Sequence, residues 1–175
     1  PLALKNYEKS LEINKQSNDQ LGIASTLGNI GNVYNQQGNY PKALSYYFRA
    51  LEMDSLLGNK TGIAKNLGNI GIVYDDQGDY HKALSFYLRA YEMDSSLGNK
   101  NRIGVYLSNI GIVYKAQGDQ SRLASDSVKA NRNYKKALSY YLKALELDSS
   151  LGKQNGISID LGNIGIVYGA LGDYF

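Results

Sequence analysis

Four asparagines, Asn29, Asn69, Asn109 and Asn163, each follow a Gly or Ser and precede Ile-Gly in a phrase that recurs along the chain. A primary amide donates and accepts hydrogen bonds, so a row of them can hold the backbone of an extended peptide without reading its side chains. An asparagine bonding only within its own structural unit would recur in the same way, and the residues alone leave both readings open. No comparable case exists for catalysis. His81, the single histidine, has Pro41 in the equivalent place one period earlier and no second ligand or nucleophile near it, which reads as a solvated turn residue. Asp75-Asp76 is replaced by Asn35-Gln36, Lys115-Ala116 and Gly169-Ala170 in the other copies, which reads as a solvated helix end. Gly68-Asn69-Ile70-Gly71 follows no strand and lacks the setting of a phosphate loop. No catalytic residue, metal ligand or cofactor site is expected, and the chain is not expected to be an enzyme.

Composition narrows the classes further. Nineteen Lys and Arg against 16 Asp and Glu leave a scattered formal charge of +3, far from the clustered basic face of a nucleic-acid binder. Cysteine is absent, which removes thiolate metal sites and disulfide scaffolds. No apolar run approaches the roughly twenty residues of a membrane helix, and Pro1-Leu2-Ala3 does not open a signal pattern. Neither nucleic acid nor membrane is expected as a partner, a cytoplasmic location is the working expectation, and the chain reads as a piece of something longer.

The asparagines are positioned by a repeat. The phrase starts at Leu27, Leu67, Leu107 and Leu161, so the steps are 40, 40 and 54, and residues 27–60 match 67–100 at 25 of 34 positions. A fixed period of this length marks units that stack on their neighbours. Ile63, Leu67, Ile70 and Tyr74 are spaced for one face of a helix, here called helix A. After Gln77-Gly78-Asp79, where Gly ends one helix and Asp caps the next, Tyr80, Ala83, Leu84, Tyr87, Ala90 and Tyr91 line a helix B. Helix B closes at Gly58, Gly98 and Gly152, and at Asn18 in the first copy, residues that tolerate a left-handed cap. Each unit is a helical hairpin, starting near 21, 61, 101 and 155. Gly71, Ala83 and Ala90 are small in every copy, as expected where a neighbouring backbone comes close, and the tyrosines recur in register as core aromatics. The fourteen extra residues, Asp119 to Arg132, fall in the turn of the third unit; a helical extension of helix B, about 21 Å long, competes with a loop.

Leu67, Gly71, Tyr74, Ala83, Tyr87 and Ala90 stand in the order and spacing that resemble the tetratricopeptide repeat. The resemblance spans nearly the whole chain. Ser55, Ser95 and Ser149 replace the family's usual Pro, and the 40-residue unit is similar to the long branch seen in kinesin light chains, the LGN/Pins group and many bacterial signalling proteins. The resemblance implies an all-α, right-handed α-solenoid of antiparallel helical hairpins over residues 1–175 as one domain, with about eight helices. It also implies protein or peptide binding on the concave helix-A face. Carried onto this chain, that face holds the four asparagines together with Lys65, Ile72, Ser108, Ile112 and Ile166, and further Ser25, Gly28, Asn32, Gly68, Val105, Ile159 and Gly162. With Lys65 its only cation, the face suits an apolar or mixed segment, not a double-carboxylate tail. Two alternatives stay open: an input or dimerisation segment of a larger signalling protein, and a self-assembling spacer with no groove ligand. Both ends cut a hairpin, between an A and a B helix, so end-to-end self-association is also expected.

Overall fold

The structure, a computed structural model, describes residues 2–172 and consists there of eight helices and no strand. They are α1 (Leu2–Gln16), α2 (Gln20–Gln36), α3 (Tyr40–Leu56), α4 (Lys60–Asp76), α5 (Tyr80–Ser96), α6 (Lys100–Leu123), α7 (Ser127–Ser150) and α8 (Gln154–Leu171). Helices α2, α4, α6 and α8 are the A helices; α1, α3, α5 and α7 are the B helices. The chain divides into two compact units, residues 1–93 and 94–175, with the division inside α5.

The turns follow one recipe. A residue with positive φ ends each helix, namely Asn18 and Ser125 (φ 60° and 59°) and Gly38, Gly58, Gly78, Gly98, Gly152 and Gly172 (φ 66–84°). A capping side chain begins most of the following helices, with Asp19 accepting from Gly22 N at 2.9 Å, Asn39 from Lys42 N at 3.3 Å and Asn59 from Gly62 N at 3.2 Å, while α6 and α8 start without one.

In the first unit the core is a line of small clusters. Ile23, Leu27 and Ala50 form one, and Ala43, Tyr47, Ile70 and Val73 form the next. The close approach at the small helix-A residue is made by a ring and not by backbone, which corrects the sequence reading. A Cβ on Gly31 would lie 2.7 Å from the Tyr47 ring and one on Gly71 2.6 Å from the Tyr87 ring. The outer flank of each hairpin carries a column the sequence did not announce. Tyr34 stacks on Tyr46 and Tyr74 on Phe86, both at 5.5 Å, with Lys42 and Lys82 each 5.0 Å over the first ring.

In the second unit the same stitch joins Gly111 to Tyr141, and Tyr114 stacks on Tyr140 at 5.6 Å. The insert does not extend helix B alone. Seven residues lengthen α6 and seven lengthen α7, since each has 24 residues where its counterparts have 17. The hairpin therefore projects by about 10 Å, half the expected reach. Gly118, expected in a turn, lies inside α6 against the Tyr134 ring, and Tyr134 donates to Asp119 at 2.8 Å. The turn has moved to Ser125 (φ 59°), followed by the cap Asp126, which accepts from Lys129 N at 2.9 Å. Ala130, Tyr134, Ala137, Tyr141, Ile164 and Val167 form the core here.

Two glycines on equivalent helix positions should respond oppositely to alanine. At Gly71 a clash of about 1–3 kcal/mol outweighs a helix-propensity gain of about 1 kcal/mol, so Gly71→Ala should unfold at lower denaturant. At Gly165, where none of the described residues lies within 4 Å of an added Cβ, Gly165→Ala should gain up to about 1 kcal/mol. Chemical denaturation of both variants in dilute solution measures the contrast.

Candidate peptide-binding faces

The A helices of each unit lie directly against one another, α2 with α4 and α6 with α8. On the first pair, Asn29 and Asn69 are half-buried, Lys65 is exposed and Ile72 is half-buried. Asn69 Nδ2 donates to Asn32 Oδ1 at 3.2 Å, and the same oxygen accepts from Tyr47 Oη at 2.8 Å. One of the amide's donors is thus spent on holding two repeats in register. Asn32 becomes Ile72, Ile112 and Ile166 in the later copies, so this bond has no equivalent there. Gly28 and Gly68, expected on the groove, are buried, and a Cβ on Gly28 would lie 3.2 Å from Asn66 Oδ1. Gly28 serves the packing of α2 on α4.

Beside them a cavity of about 190 Å³ opens between the first turns of α2 and α4, lined by Ser25, Lys65, Thr61, Asn59, Asn66 and Asp54. Its floor is Asp54, which accepts from Asn59 at 2.7 Å and from Asn66 at 2.8 Å. Burial raises the Asp54 carboxyl above its ordinary value, and these two bonds oppose the rise. At the far end of α4 the sequence expectation of a solvated acid pair holds for Asp76 but not for Asp75, which is half-buried. Burial, and then the charge of Asp76, push Asp75 up to about 6. His81 is exposed, and it lies in the first turn of helix α5, not in the connection before it.

In the second unit Asn109 and Asn163 are half-buried. They are flanked by four exposed β-branched residues two turns apart on adjacent helices: Val105 (52%) and Ile112 (39%) on α6, Ile159 (58%) and Ile166 (56%) on α8. Ser108, half-buried, donates to Asp160 Oδ1 at 2.7 Å and so ties α6 to α8. The buried acids behind both faces escaped the sequence reading. Their signal was present, because Asp54, Asp94 and Asp148 hold one position in helix B and Asn14 holds it in the first copy.

An all-α array of antiparallel hairpins whose helix A admits the ring of helix B at a glycine defines the class. The tetratricopeptide repeat model matches residues 1–55, 22–96 and 61–122, and a second tetratricopeptide repeat model matches 128–151. The chain belongs to the tetratricopeptide repeat family. Its fold is similar to that of the signal transduction ATPase with numerous domains from Pyrococcus horikoshii, which has a tetratricopeptide repeat sensor (22% identity, TM-score 0.63). That likeness covers 97% of this chain and 28% of the archaeal one. It is also similar to BtubC (BKLC) from P. vanneervenii (14% identity, 97% of this chain and 76% of that one, TM-score 0.50). A third similar fold is the N-terminal domain of stress-induced protein-1 from C. elegans (20% identity, 74% and 97%, TM-score 0.50). No curated protein matches the sequence. Tetratricopeptide repeats generally mediate protein–protein interaction and typically belong to non-enzymatic scaffolds. Among the described residues no helix is long and apolar enough to cross a membrane.

The raised Asp75 fixes a pH dependence. A carboxyl whose folded pKa lies above its unfolded value stabilises the fold fully below the unfolded pKa and loses that contribution as pH rises through about 6. Between about pH 5 and pH 7 the melting temperature of the protein should fall more than that of Asp75→Asn. Circular dichroism melts of the pair, compared by difference, test this.

Proposed function

We propose that the helix-A faces bind a segment of another protein, and that the second unit takes an apolar stretch of it. The observation that carries this reading is the set of four exposed β-branched side chains, Val105, Ile112, Ile159 and Ile166, arranged in two ranks around Asn109 and Asn163. A patch of this kind, apolar and edged by amides, is costly to leave in water and suits an extended backbone whose alternate side chains face it. In the first unit the corresponding positions are Ser25, Asn32, Lys65 and Ile72, a more polar strip that suits a mixed segment. Selection from a displayed peptide library should yield apolar sequences that protect α6 and α8 amides from exchange. Replacing Ile112 and Ile166 together by Asp should weaken them at least about tenfold while leaving the melting temperature in place, because both residues are exposed. Retained binding would overturn the reading. Asn69→Ala and Asn109→Ala separate the two roles of the asparagines: lower melting with unchanged binding makes them structural.

A further inference from the structure

Four times along the chain, a residue in the last turn of a B helix is matched with the residue twelve places later on the following A helix: Asn14 and Thr26, Asp54 and Asn66, and Asp94 and Tyr106 are hydrogen-bonded, and Asp148 acts on Asp160 through its charge. The first three junctions join a donor to an acceptor. Asn14 Nδ2 donates to Thr26 Oγ1 at 3.1 Å, and Asn66 Nδ2 to Asp54 at 2.8 Å. Asp94 receives Arg102 through two bonds of 2.6 and 2.5 Å. The fourth junction sets a carboxyl against a carboxyl.

Both acids are out of water, Asp160 at 0% exposure and Asp148 at 6%. Asp148 is wedged between Gly104 on α6 and Gly156 on α8, neither of which has room for a Cβ beside it. Asp160 sits one turn beyond Gly156 and accepts from Ser108, one turn beyond Gly104. One oxygen of each, Asp148 Oδ1 and Asp160 Oδ2, is buried with no hydrogen-bond partner. Lys153, in the turn before α8, lies 3.4 Å from Asp148 Oδ1 but directs its bond to the Asn101 carbonyl at 3.0 Å. The cation of α6 nearest in sequence, Arg102, is taken up by Asp94. Two buried negative charges would face one partly exposed cation, an arrangement that costs several kcal/mol per uncompensated charge.

We propose that Asp160, buried beside Asp148, keeps its proton in the folded protein, so that the docking of α8 onto α6 and α7 depends on proton uptake. A proton on the Asp160 carboxyl removes the meeting of two buried charges and leaves one charge beside Lys153. Burial first, and then the charge of Asp148, raise the Asp160 carboxyl, in agreement. The folded pKa lies above the unfolded one. The stabilisation is therefore complete below the unfolded pKa and is lost as pH rises through the folded value. Because α8 carries Ile159, Asn163 and Ile166, acid would also favour the apolar face, a consequence that rests on the peptide reading above.

The test needs no peptide, so its outcome is independent of that reading. Hydrogen exchange of α8 amides, corrected for the intrinsic rate, should show an opening equilibrium that grows by up to about tenfold per pH unit from pH 4 towards the raised pKa. In Asp160→Asn, which copies the Asp54–Asn66 junction, that growth should vanish and α8 should open less at neutral pH. The reverse change, Asn66→Asp, should confer the same pH dependence on α4. The side-chain carboxyl carbon of Asp160, followed by NMR, should titrate above the usual carboxylate range. A normal Asp160 titration, or a pH dependence of α8 opening that persists in Asp160→Asn, would overturn the proposal. Should that variant fail to fold, the carboxyl titration and Asn66→Asp still decide it.

Discussion

Everything in the hairpins depends on one steric fit, a tyrosine ring of helix B laid on a glycine of helix A. Gly31 with Tyr47, Gly71 with Tyr87 and Gly111 with Tyr141 repeat it, and at each a methyl group would fall 2.6–2.7 Å from ring carbons. Glycine inside a helix costs about 1 kcal/mol against alanine. The cost is offset because the missing side chain lets a large, nearly fully buried ring enter, with Tyr47 and Tyr87 at 2% and 1% exposure. The ring sets the distance between the two helices and, through its hydroxyl, the rotation: Tyr47 reaches Asn32 and Tyr134 reaches Asp119. The cation and ring columns on the flank, and the small alanines of helix B, fit around that distance.

The same constraint explains why the insert is tolerated. Seven residues are close to two helical turns, so lengthening both helices by seven returns every side chain to nearly its original face. The stitch is then repeated once more, Gly118 against Tyr134, seven residues on from Gly111 and seven before Tyr141. The sequence misled at this point because Gln117-Gly118-Asp119 copies the turn Gln77-Gly78-Asp79, and a local turn signal was read where a long-range contact decides. Gly118 precedes Tyr134 by sixteen residues, as Gly71 precedes Tyr87, and that spacing contained the answer. The actual turn uses Ser125 in a left-handed conformation, which no composition rule marks.

Period and helix type were legible because identical residues recur at a fixed step, and the four asparagines do fall on the A helices. Their surroundings were less legible. Whether a side chain points to solvent or to the next repeat depends on the neighbour at that level, and the neighbours differ: Asn32 holds Asn69, while Ile72 and Ile112 offer later asparagines no acceptor. Gly28 was placed on the groove by helical phase alone, yet phase does not tell a groove from the seam between adjacent A helices, where Gly28 is buried against Asn66.

The contacts within a hairpin are therefore constant and the polar contacts between one hairpin and the next are variable. Apolar stitches, being nearly alike, cannot tell one neighbour from another. Buried polar pairs can, because each is satisfied only by its own complement. Asn14 with Thr26, Asp54 with Asn66, and Asp94 with Tyr106 and, four residues before it, Arg102 are three such complements at one helix-B position. Asp148 with Asp160 is the pair that its side chains alone leave incomplete. A repeat protein can vary this position without disturbing the fit that makes each hairpin, so specificity of stacking order, and sensitivity to the medium, belong at the junctions.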